Sequence, residues 1–371
     1  MLDNELNRNE VQVMKRENMS QQLGMSSSQM GGPFAEVSST MAVPETPKGG
    51  VLVKVCYAGA CYNEGQMKKR GIRPRFPGIR DTSLYPGYEI AGVIHDVCNT
   101  IPNCNYTPGD KVILFPEESL ASSGYAEYIP VQDSGCILQL PQNMGLDVAA
   151  MLPGGALTAY AAVTCAKPHV EKLQKVKSCV NVLLVGAGGL GLWSLRIAQY
   201  IMGSNCSNVK LFVADNSIDK LLTAQEHECY DIIHWNEEDH EEYIVERTLD
   251  ACRGGVDIII DFVSSPRTMS RSLKVLNREG LILVGGNSMT EVSISLNTLA
   301  AKQQSIVGVP KGNLNQLQEL VDAVSRGELR APLYNIFNVE DANQVYEDLS
   351  ECRITGRAIF KFANSTSNLD N

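Results

Sequence analysis

A glycine-rich segment is the first part of the sequence whose residue types and spacing could do chemistry. It directly follows the apolar run Val182–Val185 and consists of Gly186, Ala187, Gly188, Gly189, Leu190 and Gly191. Glycine at the first, third and last of these positions allows a tight turn, close approach of a pyrophosphate and close packing of helix on strand. The N-terminus of the following helix offers free N–H groups to phosphates. The segment predicts a dinucleotide-binding loop between a strand and a helix.

The next apolar strand ends at Asp215, 24 residues after Gly191. A carboxylate at this position accepts hydrogen bonds from a ribose diol and disfavours a 2′-phosphate. Asn216 and Ser217 follow, so no arginine is placed there to bind such a phosphate. We therefore expect NAD(H) as the cofactor, with NADH preferred over NADPH. NADP(H), a flavin, or a glycine-rich turn without a ligand are the alternatives.

Composition and charge exclude several classes of partner. The chain has 371 residues and a net charge of −10, and this acidic balance argues against nucleic acid or an anionic membrane surface. No apolar run approaches the roughly 18 residues that span a bilayer. Met1–Met30 has no apolar signal region. The 11 cysteines are odd in number and form no CxxC pair, which predicts reduced thiols and a cytoplasmic protein.

The order of predicted elements indicates two kinds of domain. Residues 1–45 contain few large apolar groups, and we expect a frayed segment with an irregular hairpin. Short β-rich segments with Gly and Pro between them follow, which is typical of a small β domain. From about Val148, continuous apolar strands alternate with helices, which predicts a parallel, doubly wound sheet. The predicted strands there are Asn181–Val185, Val209–Ala214, Asp231–His234, Val256–Phe262 and Leu281–Val284, and the predicted helices are Leu190–Met202, Ile218–Glu226 and Ser270–Leu276.

Several motifs between Val51 and Phe362 occur in an order that resembles the medium-chain dehydrogenase/reductase superfamily. That superfamily includes zinc alcohol dehydrogenases, polyol dehydrogenases and quinone reductases. The motifs are Val51–Gly59, Pro86–Val93, Gly109–Val112, Gly124–Tyr128, Leu152–Tyr160 and Gly356–Phe362. The resemblance implies an α/β fold, a GroES-like β domain (46–162 and 303–371) with a Rossmann cofactor-binding domain (163–302) inserted into it. It also implies a homodimer or homotetramer.

The resemblance assigns cofactor contacts to further positions. Thr158 matches the threonine at the nicotinamide side of the family's site, and Lys220 matches the lysine near the adenosine ribose. Val284, Gly285 and Gly286 end a strand where the family places the nicotinamide. Lys220 could instead be a solvated helix charge, and Val284 could be a simple core residue.

The resemblance also shows where this sequence departs from the zinc enzymes of the family. Their three zinc ligands correspond to Cys61, Tyr88 and Gly154, so only the cysteine is kept. A neutral phenol is a poor zinc ligand and glycine has no side chain, so we expect no metal. The alternatives are a zinc held by Cys61, Glu89 and water, or no catalytic demand at all. The four cysteines of the family's structural zinc site are absent as well.

The proton relay of the zinc enzymes is also altered, since Asn63 occupies the position of a serine or threonine. We expect Tyr88 to donate a proton to the substrate oxygen in place of metal polarisation, with Cys61, Asn63 and Thr158 orienting the reactants. Tyr88 could instead only fill the space of the missing metal. Because a buried acid needs a partner, Glu89 is predicted to pair with Arg357 on the closing strand.

The sequence therefore predicts a zinc-independent NAD(H)-dependent oxidoreductase acting on a small carbonyl or alcohol, an enone or a quinone. Two other functions stay open. One is a catalytically degenerate NAD(H)-binding sensor or partner protein, and the other is a residual zinc-dependent alcohol dehydrogenase.

Overall fold

The computed structural model describes residues 21–27, 35–60, 89–98, 105–115, 125–203, 208–286 and 291–362, with the backbone alone for 21–27 and 35–41. Across these segments no helix combines the length and hydropathy that crossing a bilayer requires. The strands are β1 Gln21–Ser27, β2 Ala35–Ala42, β3 Val51–Gly59, β4 Ile90–Val97, β5 Lys111–Leu114, β6 Tyr128–Val131, β7 Ile137–Gln139, β8 Val180–Val185, β9 Val209–Asp215, β10 Asp231–His234, β11 Val256–Asp261, β12 Leu276–Val284, β13 Ser305–Gly308, β14 Tyr334–Asn338 and β15 Arg357–Lys361.

The first mixed sheet combines early strands with the last two strands of the chain. Its order is β14-β15-β3-β4-β5-β7, with β6 paired to β3. Strands β14 and β15 are parallel, and the other pairs are antiparallel. Both ends of the chain therefore build this sheet, while β1 and β2 form a separate antiparallel pair.

The second sheet is wholly parallel and has the order β10-β9-β8-β11-β12-β13. Numbered by their succession in the chain, these strands follow the 3-2-1-4-5-6 order of a doubly wound nucleotide-binding sheet. All six residues of β11 are buried, as expected for a strand covered on both faces. The chain reverses its direction of growth between β8 and β11, which is where such sheets bind their ligands.

Helices cover the parallel sheet and connect it to the mixed sheet. The α-helices are α1 Leu146–Ala150, α2 Leu157–Gln174, α3 Gly189–Met202, α4 Ile218–Glu226, α5 Glu241–Ala251, α6 Pro266–Val275, α7 Leu296–Lys302, α8 Leu314–Ser325 and α9 Ala342–Ser350. A π-helical turn, Leu152–Ala156, joins α1 to α2. Residues 146–174 are thus three helical segments that follow one another almost without a break.

The structure differs from the sequence predictions at several element ends. Helix α6 begins four residues earlier than predicted, because Ser265 caps it and Pro266 suits its first position. Helices α5 and α7 and strand β13 were not identified from the sequence. Strand β13 pairs with β12 in the parallel sheet, beyond the domain limit placed at residue 302, and α2 runs across the limit placed at 162.

A buried histidine joins the half of the molecule built on the parallel sheet to the segment that leads into β14. His227 Nδ1 donates to the Thr223 carbonyl oxygen at 2.8 Å, and His227 Nε2 accepts from the Leu333 N–H at 3.1 Å. An accepting Nε2 requires the neutral ring. Burial is the largest influence and lowers the pKa of His227. The hydrogen bond to the Thr223 carbonyl opposes it, the Arg196 charge lowers the pKa further, and the Glu226 charge opposes the shift least.

This lowered pKa predicts a loss of stability in mild acid. Below the ordinary histidine pKa of about 6.5 the unfolded chain binds a proton that the folded chain binds less readily, so the free energy of unfolding falls as the pH decreases. His227→Gln should reduce the difference in unfolding free energy between pH 7.5 and pH 5.5, measured by urea titration. The control His169→Gln, at a half-exposed ring, should keep the wild-type difference. Equal pH dependence in His227→Gln and wild type would contradict the prediction.

Candidate active site

The glycine-rich loop lies at the carboxyl end of β8, next to the point where the order of the parallel strands reverses. Gly186 has a φ of 100°, a left-handed conformation that glycine adopts without strain. A Cβ on Gly191 would overlap the Gly186 carbonyl oxygen, so the helix approaches the turn as closely as backbone allows. Two glycines of the motif are therefore required by the geometry of the loop itself.

The N-terminus of α3 is open to a ligand. Gly188 is its N-cap and provides no side chain to accept from the first N–H groups. A Cβ built on Gly188 would meet no atom within 4 Å. Gly189 and Leu190 begin the helix and are half-buried. Uncapped N–H groups beside open space fit the phosphates of a dinucleotide.

Asp215, at the end of β9, is held against the loop. Its Oδ2 accepts from the Ala187 N–H at 2.6 Å, and its Oδ1 accepts from the Ser217 N–H at 2.8 Å. A carboxylate has about four lone-pair sites, so acceptor capacity remains for a ribose diol. Lys220 is half-buried in the first turn of α4, and its N–H donates to Ser217 Oγ at 3.5 Å. The arrangement places the acid and the lysine around one capped helix start.

A loop that the sequence analysis did not identify closes the other side of the site. It follows β11, where Asp261 lies in register with Val185 of β8 and with Val284 of β12. The Asp261 carbonyl oxygen accepts from the N–H groups of Gly285 and Gly286 at 2.8 and 3.1 Å. Val284, Gly285 and Gly286 are thereby fixed beside the glycine-rich loop.

The Asp261 carboxylate is fully buried and shapes this loop from within. It accepts from the N–H groups of Val263 and Ser264 and from Thr268 Oγ1, all between 2.7 and 2.9 Å. Burial raises the pKa of Asp261, and these hydrogen bonds oppose the rise. Val263 is left 46% exposed, and its Cγ2 lies 3.1 Å from where a Gly186 Cβ would be. Turn-forming Ser residues after a buried strand were the only sequence signal for this loop.

Glu89 and Arg357 form a buried ion pair, as predicted from the sequence. Arg357 Nη2 donates to Glu89 Oε2, and the two side chains are 7% and 3% exposed. The other carboxylate oxygen, Oε1, accepts from the Gly155 N–H of the π-helical turn. The carboxylate is thus bound on both oxygens.

Glycines surround the Glu89 side chain. A Cβ on Gly59 would overlap Glu89 Oε2, and a Cβ on Gly154 would overlap Glu89 Oε1. The Tyr125 hydroxyl donates to the Gly59 carbonyl oxygen at 2.7 Å and fixes that wall. The volume that a longer residue at position 154 would need is therefore filled by Glu89.

Arg357 also reaches the nucleotide-binding loop. A Cβ on Gly189 would overlap Arg357 Cδ, so the aliphatic part of the arginine crosses the start of α3. From the sequence, Arg357 was predicted only as the partner of Glu89, because nothing local indicates a contact between Arg357 and Gly189, which are far apart in the chain. The ion pair joins β4, β15, the π-helical turn and α3 at one point.

The described residues fit a nucleotide but do not provide a zinc site. Cys61, Asn63 and Tyr88 lie outside the described residues. Gly154 has no donor, and the Glu89 carboxylate is occupied by Arg357 and Gly155. Thr158 is half-buried in the first turn of α2, directly after the π-helical turn. Among the described segments no three His, Cys, Asp or Glu residues come together as metal ligands would.

Comparison with known families matches both parts of the chain. Residues 47–178 match the family described as "Alcohol dehydrogenase GroES-like domain". Residues 189–326 match the family described as "Zinc-binding dehydrogenase". The first range holds Glu89, Gly154 and Thr158, and the second holds Asp215 and the Asp261 loop.

Curated relatives cover most of the chain at low identity. An NAD-dependent alcohol dehydrogenase of Sulfolobus acidocaldarius is 26% identical over 86% of this chain and 94% of its own length. A probable mannitol dehydrogenase of Fragaria ananassa is 25% identical over 86% of this chain and 90% of its own length.

Solved structures share the fold. The alcohol dehydrogenase of Aeropyrum pernix superposes with a TM-score of 0.74 at 21% identity, covering 92% of this chain and 99% of that one. The acetophenone reductase of Geotrichum candidum in complex with NAD superposes with a TM-score of 0.70 at 18% identity, covering 92% and 97%. At these identities the likeness concerns the fold.

The buried ion pair gives a prediction about stability. Glu89→Gln leaves the Arg357 charge buried without its counter-charge, so we expect a loss of about 3–5 kcal/mol in the free energy of unfolding. Replacing both residues, Glu89→Gln with Arg357→Met, should cost less than the sum of the single changes. The control Glu328→Gln, in the exposed pair with Arg326, should change stability little. Urea unfolding measures all four, and equal effects of Glu89→Gln and Glu328→Gln would refute the assignment.

The two ends of the glycine motif should respond differently to alanine. In Gly188→Ala the new methyl group enters open space, so the melting temperature should stay near the wild-type value. NADH affinity should fall at least tenfold, because the methyl group would keep the pyrophosphate from approaching the backbone. In Gly191→Ala the methyl group meets the Gly186 carbonyl, and the fold should lose about 1–3 kcal/mol. Thermal unfolding and NADH fluorescence titration separate the two effects. Unchanged NADH affinity in Gly188→Ala would show that this helix start does not hold the cofactor.

Proposed function

The chain belongs to the medium-chain dehydrogenase/reductase superfamily, and from this premise we propose that it is an NAD(H)-dependent oxidoreductase that works without a catalytic zinc. Its substrates in this proposal are small carbonyl or alcohol compounds, enones or quinones. Its relatives support an alcohol dehydrogenase-like oxidoreductase. We propose in addition that it needs no zinc, that it prefers NADH and that it acts on these substrates.

The proposal of a zinc-free site rests on the Glu89 carboxylate, both of whose oxygens are hydrogen-bonded within the protein. A carboxylate that serves as a zinc ligand offers an oxygen to the metal at about 2.0–2.2 Å. Here Arg357 takes one oxygen and the Gly155 N–H takes the other, and both partners are buried. Moving Glu89 to a metal would leave the Arg357 charge unpaired inside the protein, which is costly. Gly154 cannot replace it, so Cys61 alone of the family's ligand positions keeps a side chain suited to zinc.

The cofactor side of the proposal rests on three groups of residues. The open N-terminus of α3 would hold the pyrophosphate, and Asp215 would accept from the adenosine ribose. Thr158 and Val284–Gly286 would flank the nicotinamide. When bound, the nicotinamide supplies the hydride donor or acceptor, and the protein supplies orientation and charge. The relative from Sulfolobus acidocaldarius is named as NAD-dependent, which agrees with Asp215 at this position.

In this proposal Tyr88 holds the proton that balances the hydride. A phenol beside the reacting oxygen donates its proton as negative charge develops there and takes it back in the reverse reaction. Asn63 can hydrogen-bond a substrate oxygen but is a poor proton relay, and Cys61 would contribute packing and orientation. Tyr88 directly precedes Glu89 in the sequence, and the carboxylate of Glu89 is held by the buried ion pair.

A second function is favoured by the glycine at position 154. Losing the ligands and the relay together is also the expected result of relaxed catalytic demand, so the chain could bind NAD(H) as a sensor or partner protein. Stoichiometric NADH binding without turnover on any carbonyl substrate would support this second function.

The proposed activity is tested by following NADH oxidation at 340 nm with aldehydes, ketones, enones and quinones. We expect turnover with at least one class. With that substrate, Tyr88→Phe should lower kcat by about 10²- to 10⁴-fold, because general acid catalysis contributes about that much. The control Tyr243→Phe removes an exposed phenol on α5 and should keep the activity. Full activity in Tyr88→Phe would exclude the tyrosine as the proton donor.

A further inference from the structure

A cleft lies at the amino ends of the parallel strands, whereas the glycine-rich loop lies at their carboxyl ends. Its walls come from the amino ends of β8, β9 and β11 and from the start of β12, and its volume is about 320 Å³. Strand β8 has six residues, so this edge is ~20 Å from the nucleotide loop. We refer to it as the amino-end cleft. Small-molecule pockets in proteins begin at about this size.

The amino-end cleft is basic, although the chain carries a net charge of −10. Lys177, Lys210 and Arg253 line it, and Asp257 is the one acidic residue among its described lining residues. Asp231, at the start of β10, lies close enough for its charge to help raise the pKa of Cys252 in the cleft wall, but does not line the cleft. The local excess of positive charge therefore contrasts with the rest of the molecule.

The single lining acid is already neutralised. Lys177 Nζ forms a salt bridge with Asp257 Oδ1, which also accepts from Asn277 Nδ2 at 2.8 Å. Asp257 Oδ2 accepts from the Asn181 N–H at 3.0 Å. With three donors on this carboxylate, little negative charge is left to repel an anion.

The other two cations, Lys210 and Arg253, form no salt bridge with a described residue of the chain. Lys210 Nζ donates to the Tyr230 hydroxyl at 2.9 Å, which leaves its charge intact. Within the described segments of the chain, neither Lys210 nor Arg253 has a carboxylate within 4.0 Å. Two uncompensated cations beside one cleft form an attractive site for a group with two negative charges.

The backbone conformation of Arg253 allows its side chain to be tested without straining the fold. Arg253 follows the C-cap of α5 and has a φ of 50°, the left-handed conformation in which glycine is favoured at this position. Glycine adopts this conformation with less strain than arginine, so Arg253→Gly removes the side chain without a cost to the backbone. The Arg253 side chain lines the amino-end cleft beside Lys210.

We propose that the amino-end cleft binds a small phosphorylated molecule through its phosphate group, with Lys210 and Arg253 as the binding cations. Lys177 neutralises the charge of Asp257. The remaining volume of the cleft accommodates the uncharged part of the ligand. This site is separate from the nucleotide loop and does not depend on the reaction proposed above.

The test is calorimetric titration of the full chain with inorganic phosphate. We expect saturable binding of one phosphate at millimolar or lower concentration, weakened at least tenfold by Lys210→Gln and by Arg253→Gly. Gly188→Ala, in the nucleotide loop, should leave this binding unchanged, as should Lys48→Gln, which removes an exposed lysine on the mixed-sheet side. Binding that is lost in Gly188→Ala but kept in Arg253→Gly would place the phosphate in the nucleotide loop and overturn the proposal.

The Arg253→Gly variant separates binding from folding. Glycine relieves the left-handed backbone, so its melting temperature should equal or exceed that of the wild type while phosphate binding is lost. Cys352→Gly is the matched control, because Cys352 has a φ of 59° in the same position after α9 and lies outside the cleft. It should keep phosphate binding. No saturable binding by the wild type, or equal weakening by Lys48→Gln, would also refute the site.

Discussion

The buried ion pair between Glu89 and Arg357 is the interaction on which the rest of the site depends. It lies where the start of β4, the closing strand β15, the π-helical turn and the first turn of α3 meet. A buried pair adds little net stability when compared with apolar packing, but removing one partner is expensive. The pair therefore acts mainly by fixing how these four segments lie together, and so how the nucleotide loop faces the mixed sheet.

In the same pair, both oxygens of the Glu89 carboxylate are occupied. The glycines at positions 59, 154 and 155 leave room for the Glu89 side chain and give its carboxylate an N–H donor. The Glu89 carboxylate is therefore not free to bind a metal. Gly154, at the third ligand position of the superfamily's zinc enzymes, has no side chain that could replace it. In the function proposed above, polarisation of the substrate oxygen would pass to a protein acid, and the residues at the carboxyl ends of the parallel strands would bind NAD(H).

Local signals in the sequence predicted much of this arrangement. The glycine spacing predicted the turn between β8 and α3, because Gly186 has a left-handed backbone and Gly191 packs against the Gly186 carbonyl oxygen. The pair of Glu89 with Arg357 followed from the cost of burying an unpaired acid. The crossing of Arg357 over Gly189, the loop after Asp261 and the amino-end cleft were not predictable, since each depends on contacts between distant segments. Helix α5 was missed because its charged sequence carries a weak apolar pattern.

The zinc content of the active protein is the most direct test of whether it catalyses without a metal. The chain would be purified without chelators, and its zinc per chain would be measured by elemental analysis on the same sample that is titrated with NADH. If the chain works without zinc, the active sample binds NADH saturably and contains far less than one zinc per chain. One zinc per chain, lost together with activity on chelation, would contradict it and would mean that Glu89 leaves Arg357 to hold a metal with Cys61.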